Sequence, residues 1–445
     1  MIYAHIVGWG KYLPEKIVTN DDIAAWMDTS DEWIRSRTGI AERRMAVDHE
    51  TTASMAIAAA QLALDRARIT PSSVDLIIVA TLSPEHIFPA TASIVQDALG
   101  ATHAGAYDLS AACSGFIYAL TMGNAMIQSG MSKVVLVIGS ETATRFLDKR
   151  DRSTYPLFGD GAGAVVLQAD YTPGGILASV LGSDGSGSEH LIIPAGGSKL
   201  PTSHETVKKR LHYMKMNGRE VYRFATRTIG RVVKEACHNA GVDLSEIDLL
   251  IPHQANARII ASARKQIKIN QEKIFMNLDK YGNTSTASIP IALCEAIEQD
   301  RIHYKDNIVL VGFGGGLTWG AIVIKWGLEM PHQPRQWWYR GIRWLVYRWA
   351  KIRSNFLRIS RWLDSHIPFR SEEYPILPES TPESPDESSK SDASKSDATK
   401  SDATKETTAQ NGTATHLSDI QSISNPEVPT KHLIKEIKPE NEDEL

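Results

Sequence analysis

The chain has 445 residues, enough for two or three domains at the usual size of about 150 residues each. Its net charge of −4 conceals three unlike regions: close to −2 over residues 1–330, +8 over 331–370 and −10 over 371–445. Three cysteines exclude a disulfide scaffold and suit a reducing compartment. The opening MIYAHIVGWGKYLPE lacks the order of a signal peptide, and no run of 18 apolar residues is available to span a bilayer.

In chain order, short apolar β-branched runs predict strands at 74–81, 134–139, 164–168, 249–252, 308–312 and 321–325. Between them, stretches rich in Ala and long side chains predict helices at 55–67, 114–129 and 219–240, the last two stopping near Gly130 and Gly241. The alternation is that of an α/β protein with buried strands. The chain also echoes itself: SVDLIIVAT at Ser73 returns as EIDLLIPHQ at Glu246, and KVVLVIGSE at Lys133 as NIVLVGFGG at Asn307, offsets of 173 and 174. A looser echo joins GAGAVVLQ at Gly161 to WGAIVIKW at Trp319. Two similar halves, 1–172 and 173–330, facing each other around a pseudo-dyad, are the simplest account.

Residues 331–370 read as a basic, Trp-rich amphipathic helix. Trp338, Ile342, Leu345, Trp349, Ile352, Phe356, Ile359 and Leu363 follow an alternating four-three spacing and share one stripe, with Arg340, Arg343, Lys351, Arg358 and Arg361 opposite. A membrane surface or a partner is expected on that stripe in preference to the helix folding back on the body. Residues 371–445 hold Ser, Thr, Pro and charged residues, too little apolar surface to offset ordering, and are expected to be disordered.

The echo places three polar residues at matching strand and helix ends. Strand-like AYDLS leads into AACSGF, setting Cys113 where a helix begins, and a helix amino end favours a thiolate. His253 ends the strand LLIPH, and Asn283 in GNTSTASIP stands at the start of the corresponding helix. A nucleophile, a histidine and an amide donor equip a site for acyl transfer through a thioester. Cys237 and Cys294 fall inside helical patterns and read as buried apolar residues. GDGAGA precedes a strand instead of opening a helix, so no NAD is expected, and no cluster has metal-ligand spacing.

The strings DTSDEWIRSRTGI, AACSGF, GDGAGAVVL, KMNGREVYRFA, PHQANARII, GNTSTASIP and GFGGGLTWGA, in this order over about residues 1–326, resemble β-ketoacyl-acyl-carrier-protein synthase III of the thiolase superfamily. The resemblance implies a duplicated α-β-α-β-α fold and a decarboxylative Claisen condensation of an acyl-CoA, normally acetyl-CoA, with malonyl-acyl-carrier protein. Cys113 would carry the acyl group, the N–H groups of Cys113 and Gly315 would form the oxyanion hole, and His253 and Asn283 would stabilise the enolate. Thr29, Trp33, Arg37 and Arg152 would hold the CoA head, and Asn217 and Gly218 the pantetheine arm. Arg223, Arg258 and Lys265 would meet the carrier protein, and Phe88 would bound the acyl pocket across a homodimer interface. The CoA thioester is a substrate, and no separate cofactor or nucleic-acid partner is expected. The expected location is the cytoplasm, with contact to the inner face of the membrane through residues 335–363. A relative with a longer starter or a specialised product, an inactive membrane-docked binding protein and a cysteine hydrolase are the competing readings.

Overall fold

The computed structural model describes residues 1–328 and 337–366, without the side chains of 337–343 and 364. Nine strands build its two larger sheets: β1 (Tyr3–Tyr12), β2 (Leu76–Ala80), β3 (Gly105–Leu109), β4 (Val134–Glu141), β5 (Gly161–Asp170), β6 (Gly175–Ser183), β7 (Leu249–Pro252), β8 (Asn307–Gly314) and β9 (Thr318–Lys325). The first sheet runs β1-β5-β4-β2-β3 and the second β7-β8-β9-β6.

The echoed strings occupy equivalent places. β2 pairs in parallel with β4 as β7 does with β8, and β5 runs antiparallel to β4 as β9 does to β8. β1 and β6 then close the matching edges, antiparallel to β5 and β9.

Seven helices matter to the layering and the site: α1 (Asp31–Thr38), α2 (Thr52–Ala67), α3 (Thr91–Leu99), α4 (Gly115–Gln128), α5 (Gly218–Ala240), α6 (Ala257–Ile267) and α7 (Ser288–Glu298). α4 and α7 lie between the sheets, α2 and α3 cover the outer face of the first sheet, and α5 and α6 cover that of the second. Each central strand is therefore buried on both faces and reads as an unbroken apolar run. In β2, Leu76, Ile78 and Ala80 join the core between the sheets while Ile77 and Val79 join the core under α2 and α3.

The C-terminal helix, α8 (Trp337–His366), departs from the expectation in one respect: it does fold back on the body, along α3. It does so with its polar face. Ala350 and Ser354 are buried there, Ser354 Oγ donates to Asp97 at 2.6 Å, Arg358 pairs with Asp97 at 3.3 Å, and Tyr347 Oη donates to Asp65 at 3.2 Å. Small residues and paired charges settle the docking, so the apolar stripe is not what holds the helix down. Of that stripe, the side chains of Trp338 and Ile342 lie outside the described residues, as do those of Arg340 and Arg343 and the whole of 371–445. No helix among the described residues is long and apolar enough to cross a membrane.

Candidate active site

Cys113 sits in a single 3-10 turn, Ala112–Ser114, that runs into α4. The residue before it, Ala112, takes φ of 45°, a left-handed conformation that costs a residue with a Cβ about 1–3 kcal/mol and persists only where the surroundings enforce it. The surroundings are visible. Ser114 Oγ donates to Ala111 O at 2.8 Å and lies 2.7 Å from Thr318 Oγ1, which also contacts the carbonyl of Gly315 at 2.9 Å. A Cβ on Gly314 would stand 2.6 Å from the Cys113 nitrogen, so only glycine lets β8 pass this close to the turn.

The thiol does not behave as its place before a helix predicts. Burial pushes the Cys113 thiol up to about 12, because desolvation of the thiolate outweighs the help of a hydrogen bond to Ser285, and buried Glu141 adds to the rise. The resting side chain is a thiol. Alkylation of Cys113 by iodoacetamide is therefore expected to accelerate about tenfold per pH unit from pH 7 to 10. A plateau near pH 8 would contradict this.

Asn283 also differs in detail from the expectation. It precedes α7 by five residues, with a 3-10 turn, Ser285–Ala287, between. Its backbone is clamped by Leu157 O at 2.8 Å and by Gly159 N at 3.0 Å, and its side-chain oxygen accepts from Ser285 N at 2.8 Å. The amide oxygen being taken, the group offered outward is the NH₂.

His253 follows β7, its N–H donating to Val311 O at 2.8 Å and its ring edge-on to Phe313 at 5.2 Å between centroids. Burial drives its pKa down to about 3, so the imidazole is neutral at working pH. Its Nδ1 lies 2.6 Å from Ser288 Oγ. We assign the hydroxyl as donor, which puts the ring proton on Nε2 and makes that atom a donor as well.

Residues that sequence reasoning did not single out contact each of the three. Ser285 touches Cys113 and Asn283, Ser288 orients His253, and both stand in the GNTSTASIP string. Glu141, at the end of β4 and fully buried, lies within hydrogen-bond reach of Ser83, Leu82 N, Ser285 and Thr286. Burial raises its pKa despite these contacts. It is the hub between the first sheet and the turn carrying Asn283. Its signal was present, as the last letter of KVVLVIGSE, but a lone carboxylate ending a strand carries no motif.

A second cluster surrounds Trp33 on α1. The guanidinium carbons of Arg37 and Arg152 stand 4.7 and 4.5 Å from its ring centroid, a cation–π arrangement, and Arg152 also reaches Asp28 at 3.5 Å. The Thr29 hydroxyl nearby is shielded from water and has no hydrogen-bond partner among the described residues, so a polar ligand would satisfy it. Asn256, three residues past His253, donates to the Arg37 carbonyl at 3.2 Å, tying this cluster to the loop after β7. Asn217 caps α5, accepting from Glu220 N at 3.2 Å, and Gly218 opens that helix. Arg223 on α5 and Arg258 and Lys265 on the adjacent α6 are exposed, Arg223 pairing with Glu220 at 2.8 Å. Phe88 projects into solvent at 87 % exposure beside Ile87 at 91 %. Cys237 and Cys294 are buried in α5 and α7.

Two stacked sheets of matching topology, with a buried Cys at the start of α4, a neutral His after β7 and an Asn on the segment leading into α7, are the features of a thiolase-like condensing enzyme. The comparisons agree. Residues 107–185 match the family described as 3-oxoacyl-[acyl-carrier-protein (ACP)] synthase III, and residues 237–326 its C-terminal part. The β-ketoacyl-[acyl-carrier-protein] synthase III of Caldanaerobacter subterraneus is 50 % identical over 325 residues, 73 % of this chain and 98 % of that protein. That of Symbiobacterium thermophilum is 51 % identical over 322 residues, 72 % and 98 % of the two chains. The crystal structure of the Aquifex aeolicus 3-oxoacyl-[acyl-carrier-protein] synthase III superposes with a TM-score of 0.67 at 46 % identity, covering 72 % of this chain and 99 % of that one. The chain belongs to the β-ketoacyl-acyl-carrier-protein synthase III family.

Proposed function

We infer that this chain condenses an acyl-CoA with malonyl-acyl-carrier protein, releasing carbon dioxide and a 3-oxoacyl-carrier protein, and so initiates fatty-acid synthesis. The observation that carries the reading is the hydrogen-bonded link of Cys113 and Asn283 through Ser285, together with a neutral His253 bonded to Ser288 on the same GNTSTASIP segment. A protease-like cysteine needs its histidine as a base. A histidine held neutral with a donor Nε2, together with an amide NH₂, suits instead the stabilisation of developing oxygen charge.

Cys113 Sγ attacks the acyl carbonyl carbon, the C–S bond to CoA breaks, and CoA departs as a thiol with the proton Cys113 surrenders. The N–H groups of Cys113 and Gly315 receive the oxyanion. Malonyl-carrier protein then loses carbon dioxide while His253 Nε2 and Asn283 Nδ2 hydrogen-bond the thioester oxygen of the enolate. The enolate carbon attacks the acyl-enzyme carbonyl, the bond to Cys113 breaks, and the released thiolate takes a proton from water.

Trp33, Arg37, Arg152 and Thr29 supply a stacking surface, cationic groups and an unsatisfied hydroxyl for the nucleotide of CoA, with Asn217 and Gly218 along its pantetheine arm. Arg223, Arg258 and Lys265 form a basic face on α5 and α6 for the carrier protein, whose approach it would speed by long-range attraction. We read residues 1–172 and 173–330 as the two halves of a duplicated body that works as a cytoplasmic homodimer. The open edge of β3 and the exposed Ile87 and Phe88 favour a subunit contact there.

Incubation with acetyl-CoA and [¹⁴C-carboxyl]malonyl-carrier protein is expected to release labelled carbon dioxide and 3-oxobutanoyl-carrier protein in equal amounts. Failure to form a 3-oxoacyl-carrier protein with any acyl-CoA from acetyl to decanoyl would overturn the reading.

A further inference from the structure

We propose that α8 is an interfacial anchor that lays its exposed stripe on an anionic lipid surface while its other face stays docked on the enzyme. Leu345, Trp349, Ile352, Phe356, Ile359 and Leu363, spaced by four and three, are 49 to 68 % exposed. At 1.5 Å per residue they extend over about 27 Å of helix. Trp344 and Trp362, 18 residues and five turns apart, widen the stripe along one margin and are likewise exposed. So large a continuous apolar surface is rarely left to water by a soluble protein.

The docking explains why the stripe points away. At about 100° per residue, Tyr347, Ala350 and Ser354 lie nearly opposite its centre. Ala350 sits against Gly100, whose φ of 75° caps α3, and a Cβ on that glycine would come within 2.8 Å of the Ala350 Cβ. Asp97 receives both Ser354 and Arg358. The described docking contacts come from Tyr347, Ala350, Ser354 and Arg358, none of them on the stripe, so the helix needs no rearrangement to present it.

Chemistry selects the occupant. Arg348 and Arg353 border the stripe on its two sides, and Arg348 stacks over Trp344 at 5.0 Å. Residues 337–366 contain six Arg and one Lys against one Asp, and five of the ten tryptophans of the chain. Indole rings and guanidinium groups flanking an apolar face suit the headgroup boundary of an anionic bilayer. A second copy of the helix fits poorly. Trp349 and Phe356 are bulky for a coiled-coil seam, which prefers Leu, Ile and Val, and basic residues along both margins would face basic residues. The eight charged residues within the helix bar it from crossing a bilayer, so it lies in the surface.

The full-length protein is expected to sediment with vesicles of phosphatidylglycerol and phosphatidylcholine at 0.1 M salt and at least tenfold less with phosphatidylcholine alone. Salt at 0.5 M should reduce the bound fraction, because the basic margins are screened. The double variant Trp349→Glu, Phe356→Glu should lower vesicle binding at least tenfold while still forming the acyl-enzyme by intact mass. Both residues are already in water, so the fold does not depend on them. Equal sedimentation with both vesicle types, no sedimentation with either, or a variant that alters the oligomeric mass in solution and leaves vesicle binding unchanged would each overturn the proposal. The acyl-enzyme readout keeps this result separate from the condensation chemistry.

Discussion

Cys113→Ala is expected to form no acyl-enzyme with any acyl-CoA and to lose condensation by about 10⁴-fold or more, the loss typical of removing a covalent nucleophile. Stability should change little. The side chain is buried, but the replacement removes only a sulfur from a turn held by the Ser114 and Thr318 hydroxyls and by the carbonyls of Ala111 and Gly315. The informative partner is Asn283→Ala. Its NH₂ acts after acylation in the proposed sequence, so that variant should still gain the acyl mass from acetyl-CoA and then stall, with turnover down about 10²-fold or more. Intact-mass spectrometry and product release, measured on the same samples, separate the two. An acyl adduct retained in Cys113→Ala would put the nucleophile elsewhere, and normal turnover in Asn283→Ala would deny the enolate its donor.

The sequence carries the central strands clearly because they are buried twice. Residues 76–80 of β2, 134–139 of β4 and 308–312 of β8 each face one of two cores, and these stretches are written in Ile, Val, Leu and Ala or Gly. The edges are less legible. β1 is absent from the predicted strands although it is ten residues long, because Gly8 and Gly10 interrupt its apolar run. Those glycines are what the fold requires: a Cβ on either would collide with the carbonyls of Ala63 or Ala59 in α2, which lies directly on the strand. The echo singles out Cys113, His253 and Asn283 at strand and helix ends, and their proposed roles rest on the resemblance. The charge state of Cys113 rests on neither. A helix amino end stabilises a thiolate only by a fraction of what full burial costs, and burial is a property of the packed turn, not of the string AACSGF. The C-terminal helix shows the same division. Its amphipathicity is explicit in the sequence, whereas the choice of face for docking depended on Gly100 and Asp97 at the end of α3, about 250 residues earlier.

Gly314→Ala should disable the enzyme without replacing any reacting group. The added methyl would stand 2.6 Å from the Cys113 nitrogen, 3.1 Å from its Cβ and 3.2 Å from the Ala112 Cβ. None of these can give way cheaply. Ala112 is already held left-handed, Ser114 is fixed by two hydrogen bonds, and Gly314 itself is in register with Thr318 at the end of the β8–β9 ladder. Overpacking of this kind costs about 1–3 kcal/mol of stability. The larger effect falls on geometry, because displacing Cys113 and the neighbouring Gly315 N–H by about half an ångström moves nucleophile and oxyanion donors out of alignment, and kcat/KM should fall about 10²–10³-fold. Gly197→Ala is the matched control, since a Cβ there meets nothing within 4 Å, and it should stay within about twofold of the parent. If Gly314→Ala turns over as fast as that control, the close approach of β8 to Cys113 is not what sets the oxyanion geometry.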